Sequence, residues 1–425
     1  MSTQLWSAPY RPEPLDAAVS LPGSKSQTNR ALVLAALADG PSRLHRPLVS
    51  RDADLMADAL AALGAGIVRD AEHWTVTPAP LGQPLGAVTI DCGLAGTVMR
   101  FVPAVAALFD ATTTLDGDPR ARERPMGGTL DALRGLGVAL DTPQGDRLPF
   151  AVHGTGTVAG GPLTIDASES SQFVSALLLV APRFADGLDL RHAGERMPSL
   201  PHVAMTLDEL RRRGVEVEEP EPARWIVRPG AVRALDAEIE PDLSNAGAFL
   251  GGVLVTGGRL RVRHWPTRTT QAGDRWRSIA VSFGAAVERD GDDLVVTATG
   301  VPRGVDLDLG DVGELTPVVA AVAALADGPS RLRGIGHLRG HETDRIAALA
   351  TELRRVGCTV DEHDDGLTIV PGPLRSADLE TYADHRMAHA AAVLGLAAKG
   401  TRVHDVETTA KTYPGFADDW ERFAS

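Results

Sequence analysis

The ten residues AALADGPSRL occur twice in this chain, at 35–44 and again at 323–332. In both copies a run of good helix formers ends at a Gly-Pro pair, and Ser-Arg-Leu follows. Recurrence of ten identical residues at an offset of 288 indicates an internal repeat. The stretch therefore predicts that one supersecondary unit, with a helix before the glycine, is used more than once.

Helices that end on glycine recur along the whole chain, and glycine suits the left-handed position that closes a helix. The first helices of the units end near Gly40, Asp110, Gly187, Gly258, Gly328 and Gly400. The second helices end near Gly64, Gly137, Gly214, Gly284 and Gly357. Steps of 70 to 77 residues predict six α/β units, each ordered strand, helix, strand, helix, strand, strand. Three units on each side of the acidic stretch at 234–244 would form two similar domains, and a continuous solenoid is the weaker alternative.

Composition limits the partners of this chain. Its 425 residues carry a net charge of −14, which argues against non-specific nucleic-acid binding and against docking on acidic membranes. The two cysteines form no zinc or disulfide framework, and neither a signal peptide nor a membrane-length apolar run is evident. We expect a cytoplasmic protein that attracts small anions through a local basic pocket.

Cations stand at the predicted starts of several first helices. The decapeptide LPGSKSQTNR at 21–30 leads from a Pro-Gly turn into an apolar helix and supplies Lys25, Ser26 and Arg30. Ordinary N-caps would explain Ser, Thr, Asn and Asp at such positions. They do not explain Lys25, Arg30, Arg100 and Arg386, because a cation opposes the positive end of a helix dipole. These helix starts are therefore predicted to bind phosphate or carboxylate.

Several further motifs follow in order: LAGTVMR at 94–100, DPRARERPM at 118–126, SSQF at 170–173, GELTP at 313–317, HETDR at 341–345, ADHRMA at 383–388 and TAKTYP at 409–414. Together with LPGSKSQTNR they closely resemble the 5-enolpyruvylshikimate-3-phosphate synthase family of enolpyruvyl transferases. The resemblance runs from residue 21 to 416. It implies two domains of three βαβαββ units each, an inside-out α/β barrel, with the active site in the interdomain cleft. The domains would be 20–239 and 1–19 plus 240–425.

The resemblance also implies a reaction and its site. Shikimate 3-phosphate and phosphoenolpyruvate would give the 5-enolpyruvyl ether and phosphate, in a monomer that needs neither metal nor organic cofactor. Glu314, Glu342 and Lys25 are the expected catalytic residues. Phosphoenolpyruvate would be held by Lys25, Gly96, Arg124, Arg345, Arg386 and Lys411. Shikimate 3-phosphate would be held by Lys25, Ser26, Arg30, Ser170, Ser171, Gln172, Ser199, Glu314 and His341.

A few positions depart from the commonest pattern of that family. Glu314 replaces Asp, Leu94 replaces Asn, and histidines replace other polar residues at 202, 337 and 341. Three other interpretations are open. A sister enzyme, UDP-N-acetylglucosamine enolpyruvyl transferase, usually carries a reactive cysteine where this chain has none, in the loop at 116–125. A non-catalytic phosphate-binding repeat protein would not need Glu314 and Glu342. His385 and His389, four residues apart, could share a metal.

Overall fold

The computed structural model describes residues 5–70 and 72–425. The chain forms two compact units. One, here called the inserted unit, is Gly23–Glu240; the other, the terminal unit, combines Met1–Pro22 with Pro241–Ser425. The boundaries drawn from the sequence lay at residues 20 and 240.

The elements follow one another in a regular order. Strands β1 (Leu5–Ser7) and β2 (Leu15–Val19) belong to the terminal unit. The inserted unit then contains α1 (Lys25–Ala36), β3 (Ser42–His45), α2 (Arg51–Ala62), β4 (Gly66–Arg69), β5 (His73–Thr77), β6 (Pro84–Asp91), α3 (Gly96–Ala106), β7 (Asp110–Asp116), α4 (Gly127–Gly135), β8 (Ala139–Asp141), β9 (Phe150–Thr155), β10 (Gly161–Ile165), α5 (Ser171–Val180), β11 (Leu188–His192), α6 (Leu200–Arg212), β12 (Val217–Glu221), β13 (Arg224–Val227) and β14 (Ala237–Glu238).

The chain then continues through the terminal unit. Its remaining elements are α7 (Ala246–Thr256), β15 (Gly258–Val262), α8 (Trp276–Ser282), β16 (Ala286–Asp290), β17 (Asp293–Ala298), β18 (Asp306–Asp308), α9 (Thr316–Ala323), β19 (Ser330–Arg333), α10 (Arg345–Arg355), β20 (Thr359–His363), β21 (Gly366–Val370), β22 (Asp378–Leu379), α11 (His385–Ala397), β23 (Arg402–His404) and α12 (Phe416–Ala424). Short 3₁₀ turns lie at Ala121–Glu123, Ala181–Arg183, Ala272–Arg275, Gly313–Leu315, Gly336–Gly340 and Val406–Lys411.

One sheet topology recurs in both units. The four-stranded sheets β14-β3-β5-β4, β6-β7-β9-β8 and β10-β11-β13-β12 lie in the inserted unit, and β2-β15-β17-β16 and β18-β19-β21-β20 in the terminal unit. In each of these the first pair of strands is parallel and the other two pairs are antiparallel. The predicted βαβαββ repetition is therefore confirmed for five of the six units.

Three strands come from distant parts of the chain, which the sequence pattern did not predict. β14 supplies the parallel first strand beside β3, and β2 does the same beside β15. In the sixth sheet, β22-β23-β1, strand β1 pairs antiparallel with β23, and the described residues contain no hairpin there. Long-range strand pairing leaves no local signal, so only the strands themselves could be expected from the sequence.

Each unit has its own apolar core around the first helices of its repeats. We call α1, α3, α5, α7, α9 and α11 the inner helices. In α5 every residue except Gln172 is buried, and in α11 every residue from His385 to Leu396. Helices that are apolar on all sides are buried on all sides. The second helices are amphipathic: α10, for example, buries Ile346, Leu349 and Leu353 at helical spacing.

The repeated decapeptide makes the same contacts in both units. Asp39 accepts a hydrogen bond from the backbone N–H of Ala234 at 2.8 Å, and the matching Asp327 accepts one from Gly304 at 3.0 Å. The matching serines also accept backbone hydrogen bonds, Ser42 from Leu235 and Ser330 from Val305, both at 3.1 Å. The repeat thus fixes the strand that enters beside it. No helix in the described part of the chain has the length and apolarity that a bilayer crossing needs.

Candidate active site

Two inner helices of the inserted unit begin side by side. Lys25 is the first residue of α1, and the Ser24 side chain caps this helix by accepting from the Gln27 N–H. One turn later, Asn29 donates from Nδ2 to Oγ1 of Thr97, in the first turn of α3, at 2.5 Å. The starts of α1 and α3 are therefore adjacent, and the unpaired N–H groups of two helix ends favour an anion at this place.

Two guanidinium groups lie against Gly96, the first residue of α3. A Cβ atom on Gly96 would be 3.1 Å from Nη2 of Arg124 and 3.4 Å from Nη1 of Arg100. Arg124 donates to the carbonyl of Leu94 at 3.2 Å, and Arg100 to that of Pro125 at 3.1 Å. Both arginines are buried. The absence of a side chain at Gly96 lets two cations approach a helix start, where a phosphate group would be stabilised.

Lys25 pairs with a carboxylate that sequence reasoning missed. Its Nζ lies 3.2 Å from Oδ2 of Asp52, and the Asp52 side chain is only 2% exposed. Asp52 stands in the first turn of α2, whose N-cap is Ser50. An acidic residue in a first turn is ordinary, so nothing in the sequence singled it out. The pair fixes the position of the Lys25 ammonium while its side chain keeps 19% exposure.

Arg30 lies inside the inserted unit, where its guanidinium donates hydrogen bonds to hydroxyl and carbonyl oxygens of neighbouring helices. It is 1% exposed. Its Nε donates to Oγ1 of Thr206 at 2.8 Å, and its Nη2 to Oγ of Ser175 at 3.3 Å and to the carbonyl of His202 at 3.0 Å. These contacts join α1 to α5 and α6. Arg30 therefore holds three helices together, and its expected contact with substrate stays a prediction.

The serines expected to bind shikimate 3-phosphate lie at two further helix starts of this unit. Ser170 caps α5 by accepting from the Gln172 N–H at 3.2 Å, and Ser171 is buried in the first turn. Ser199 precedes α6 with a left-handed backbone, φ 55°. A non-glycine residue in that region is uncommon and often marks a functional turn.

In the terminal unit, a buried arginine is held by two carboxylates. Arg345, the first residue of α10, donates from Nε to Oδ2 of Asp384 at 2.7 Å and from Nη2 to Oδ1 at 3.1 Å. The same Nη2 donates to Oε2 of Glu342 at 2.9 Å, and Nη1 lies 3.1 Å from Nδ1 of His341. Burial alone would lower the pKa of Arg345, but Asp384, Glu342 and Glu314 outweigh it, so this pKa is raised.

Glu342 lies between two cations. Besides Arg345, its Oε1 accepts from Nζ of Lys411 at 2.6 Å, and all three side chains are at least nine-tenths buried. Lys411 ends the 3₁₀ turn Val406–Lys411. The structure thus brings together three residues that the sequence analysis assigned to one site from segments almost seventy residues apart.

Arg386 connects the starts of the three inner helices of this unit. It stands in the first turn of α11, and its Nη1 donates to Oδ1 of Asn245, the N-cap of α7, at 3.0 Å. Its Nη2 lies 3.9 Å from Oε2 of Glu314, in the turn before α9. Glu314 also accepts from Ser244 Oγ at 3.1 Å. Ser and Asn are ordinary residues at a helix start, so no sequence signal marked the contacts of Ser244 with Glu314 and of Asn245 with Arg386.

Two buried histidines flank Arg386 on α11: His385 directly before it and His389 one turn after it. The rings of His385 and His389 lie 6.1 Å apart at 86°. Burial, helped by the charges of Arg386 and Arg345, lowers the pKa of His389 well below its ordinary value. Within residues 5–70 and 72–425 no group of three or more His, Cys, Asp or Glu side chains is arranged to hold a metal ion.

Comparison with known proteins gives one consistent result. The family model for EPSP synthase (3-phosphoshikimate 1-carboxyvinyltransferase) matches residues 9–420. A 3-phosphoshikimate 1-carboxyvinyltransferase of Kocuria rhizophila is 54% identical over 428 aligned positions, which cover 98% of this chain and 96% of the relative. The chain belongs to the EPSP synthase family. The site residues described above, from Lys25 to Lys411, all lie within the matched residues.

Solved structures agree with the EPSP synthase fold. The EPSP synthase from Acinetobacter baumannii superposes with a TM-score of 0.81 at 23% identity and covers 100% of this chain and 98% of its own. The enolpyruvyl transferase NikO from Streptomyces tendae gives 0.76 at 18% identity, over 99% of this chain and 98% of its own. At these identities the likeness concerns the fold, and the predicted two-domain α/β class is confirmed. The sixth repeat departs from the prediction, because its sheet has the three strands β22-β23-β1.

Proposed function

We propose that this chain is a 3-phosphoshikimate 1-carboxyvinyltransferase, which transfers the enolpyruvyl group of phosphoenolpyruvate to the 5-hydroxyl of shikimate 3-phosphate and releases phosphate. Membership of the EPSP synthase family supports this reaction. The single structural observation that carries the proposal is the meeting of cations with a carboxylate in the terminal unit, where Arg345 and Lys411 enclose Glu342. A protein that only bound phosphate would have no use for that carboxylate.

The cations divide the recognition of phosphoenolpyruvate between them. Arg124 and Gly96 at the start of α3 suit the phosphate, with Lys25 beside them in the same unit. Arg345 and Arg386 suit the carboxylate, because a planar guanidinium donates two parallel hydrogen bonds. Lys411 adds a further charge. Donors that are already in position stabilise negative charge as phosphate leaves without reorganising.

Proton transfer uses two carboxylates in opposite directions. The 5-oxygen attacks C2 of phosphoenolpyruvate and loses a proton, for which Glu314 is the proposed base. C3 gains a proton in the addition and loses one in the elimination, and Glu342 is the proposed group for this exchange. Lys25 is the proposed acid near the oxygen that links C2 to phosphorus. In the elimination the C2–O bond breaks, phosphate departs and the enol double bond returns.

The second substrate is assigned to polar groups of both units. Ser26, Arg30, Ser170, Ser171, Gln172 and Ser199 of the inserted unit, with Glu314 and His341 of the terminal unit, are proposed to hold shikimate 3-phosphate. Arg30 is already engaged with Thr206 and the His202 carbonyl. We therefore propose that Arg30 orients the surrounding helices in addition to any direct contact that it makes with shikimate 3-phosphate. We propose that the two units are the two domains of the enzyme.

The partners and location follow from the same proposal. We expect a monomer in the cytoplasm that acts on small anionic substrates without nucleic acid, membrane, metal or organic cofactor. The net charge of −14 supports local rather than general attraction of anions. Cys92 and Cys358 carry free thiols, as a reducing compartment favours.

The sister reaction on UDP-N-acetylglucosamine has no support from a cysteine nucleophile. Cys92 is buried, and burial, with the Asp91 carboxylate, raises the pKa of its thiol to about 12. A thiol with that pKa stays protonated near neutral pH and is a poor nucleophile. Cys358 is buried as well, and burial raises its pKa.

The decisive experiment is a coupled phosphate-release assay with phosphoenolpyruvate and either shikimate 3-phosphate or UDP-N-acetylglucosamine. We expect release with shikimate 3-phosphate and background rates with the nucleotide sugar. Release with the nucleotide sugar alone, or with neither acceptor, contradicts the proposal. Glu342→Gln is the matched variant, because it keeps the size of the side chain and removes the carboxylate. It should retain phosphoenolpyruvate binding while turnover falls.

A further inference from the structure

The residues just before inner helix α11 form a strained turn. Tyr382 and Ala383 both have a left-handed backbone, with φ of 55° and 54°. Residues other than glycine avoid this region because their Cβ crowds the following carbonyl. Two in succession persist only where the surrounding contacts determine the conformation. Neighbouring groups must therefore hold this turn in place.

A buried carboxylate on α10, one of the amphipathic second helices, holds the turn at two points. Oε1 of Glu352 accepts from the Tyr382 hydroxyl at 2.6 Å, and Oε2 accepts from the backbone N–H of Glu380 at 3.2 Å. Tyr382 is 38% exposed; its partial burial and the Glu352 carboxylate raise its pKa, so its hydroxyl stays a donor throughout the neutral range. Glu352 itself is 3% exposed and also accepts from Arg355. One side chain thus fixes both the backbone and the phenol of the turn.

The turn delivers Asp384, which organises two arginines. Asp384 is fully buried, accepts from Nε of Arg345 at 2.7 Å, and accepts from the backbone N–H of Arg386 at 2.9 Å. Arg345 begins α10, and Glu352 lies two turns further along the same helix. Helix α10 therefore contacts the segment 380–384 at both ends. A shift of the turn would move Asp384 and, with it, both arginines.

We propose that Glu352 and Tyr382 are positioning residues that set the geometry of Arg345 and Arg386 for the carboxylate of phosphoenolpyruvate. The inference rests on the proposed function, which gives these arginines that ligand, and it assigns neither Glu352 nor Tyr382 a contact with substrate. Bidentate recognition of a carboxylate depends on the direction of the guanidinium fork. A loosened turn should therefore weaken phosphoenolpyruvate more than shikimate 3-phosphate.

The test is Tyr382→Phe in the full chain, which removes only the hydroxyl. Steady-state phosphate release should give a KM for phosphoenolpyruvate raised about five- to tenfold, because a hydrogen bond to a carboxylate is lost. The KM for shikimate 3-phosphate should stay within about twofold. Tyr10→Phe is the matched control, since Tyr10 is about as exposed as Tyr382, 42% against 38%, and lies outside the turn. Its kinetics should match those of the unaltered chain.

A double variant separates positioning from general loss of structure. Ala383→Gly relieves the strain of the left-handed backbone, which the hydrogen bond from the Tyr382 hydroxyl to Glu352 helps to hold in place. Tyr382→Phe with Ala383→Gly should therefore recover at least about half of the lost phosphoenolpyruvate affinity. A double variant that is as impaired as the single one, or more impaired, contradicts the inference. If the Phe variant does not fold, Glu352→Gln carries the test, because the amide keeps the size but cannot accept at both positions.

The remaining outcomes are distinct. Equal rises of both KM values, or a lower melting temperature with unchanged kinetics, would indicate a purely structural contact and overturn the inference. An unaltered chain that releases no phosphate with shikimate 3-phosphate would overturn the proposed function instead. An active chain whose Tyr382→Phe variant has an unchanged KM for phosphoenolpyruvate would overturn the positioning role alone.

Discussion

The two units hold the arginines that we propose bind phosphoenolpyruvate in different ways. In the inserted unit Arg124 lies at the start of α3 and donates to a neutral oxygen, the carbonyl of Leu94. In the terminal unit Arg345 donates to two buried carboxylates, Asp384 and Glu342. A buried charge that pairs with buried charges is part of the fold, because removal of one partner leaves the others uncompensated. Arg345 is therefore part of the fold as well as a proposed ligand contact, while the hydrogen bond from Arg124 to the Leu94 carbonyl is of a weaker kind.

The largest effect that follows from this comparison is on stability. Arg345→Ala should lower the free energy of unfolding by about 3–5 kcal/mol, because Asp384 and Glu342 lose a buried partner. Arg124→Ala should lower it by less, since the hydrogen bond from Arg124 to the Leu94 carbonyl contributes only about 1 kcal/mol. Urea unfolding of both variants measures the difference.

A double variant distinguishes the loss of charge pairing in Arg345→Ala from the loss of packing that any large-to-small substitution causes. Arg345→Ala with Asp384→Ala removes a charge of each sign, so it should recover part of the stability that the single variant loses. Equal losses for Arg345→Ala and Arg124→Ala, or a double variant whose losses simply add, would remove the distinction between the two units.

The next effect is on turnover, where the inserted unit should matter as much as the terminal unit. Arg124→Ala and Lys25→Ala should each lower kcat about 10²–10³-fold, because a donor aimed at developing charge is removed. Both proteins should remain folded. Phosphate release measures the rate, and Arg259→Ala, an exposed arginine on β15, is the control. Near-normal rates in both variants would count against the assignment of the α3 start to phosphate.

The repeated decapeptide explains how much of the fold the sequence could predict. Helix, turn and strand follow from local residues, and Asp39 and Asp327 make equivalent contacts because the same residues meet the same neighbours. The pairing of β14 with β3 was not predicted, and the grouping of residues 1–19 with 240–425 rested on the family resemblance and not on any local pattern. Pairing over that distance depends on the packed core, which local preference does not describe.

The site was predictable where a residue opposed its local setting. Lys25 and Arg386 stood out because cations at a helix start are unfavourable without an anion. Asp52 and Asp384 did not stand out, since acidic residues at helix starts are common. Their partners lie 27 and 39 residues away, so only the tertiary structure reveals the pairs.

A smaller effect sharpens the inserted-unit half of the comparison. Gly96→Ala would place a Cβ 3.1 Å from Nη2 and 3.3 Å from Nη1 of Arg124. These atoms end a flexible side chain, so the helix should persist while the guanidinium moves by a few tenths of an ångström. We expect the KM for phosphoenolpyruvate to rise about three- to tenfold. Stability should hold or improve, because Ala favours helix by about 1 kcal/mol.

Steady-state kinetics and urea unfolding check the two parts of that prediction. Gly230→Ala is the control, because a Cβ there meets no atom within 4 Å. An unchanged KM in Gly96→Ala would mean that the position of Arg124 is not critical for phosphoenolpyruvate. A large loss of stability would mean that the α3 start is held more rigidly than its arginine contacts indicate.

The smallest effect concerns the cations of the terminal unit and a neighbour that must stay neutral. His389 is fully buried, and burial together with Arg386 and Arg345 holds its pKa well below the ordinary value of 6.5. Below pH 6.5 His389 binds a proton in the unfolded chain but stays neutral in the folded chain, so acid favours unfolding. Stability should fall as the pH drops through 6.5, by about 1.4 kcal/mol between pH 7.5 and pH 5.5 from this residue.

His389→Met removes that proton uptake without adding a polar group. The free energy of unfolding, measured at pH 7.5, 6.5 and 5.5, should therefore fall less steeply in the variant than in the unaltered chain, by about one proton. His363→Met, at an exposed position, should leave the slope unchanged. Parallel curves for His389→Met and the unaltered chain would mean that His389 accepts a proton in the folded state. In that case the carboxylates around Arg345 and Arg386 would neutralise both guanidinium groups well enough for a third positive charge to be tolerated nearby. The electrostatic repulsion at the start of α11 would then be weaker than the contacts of these arginines imply.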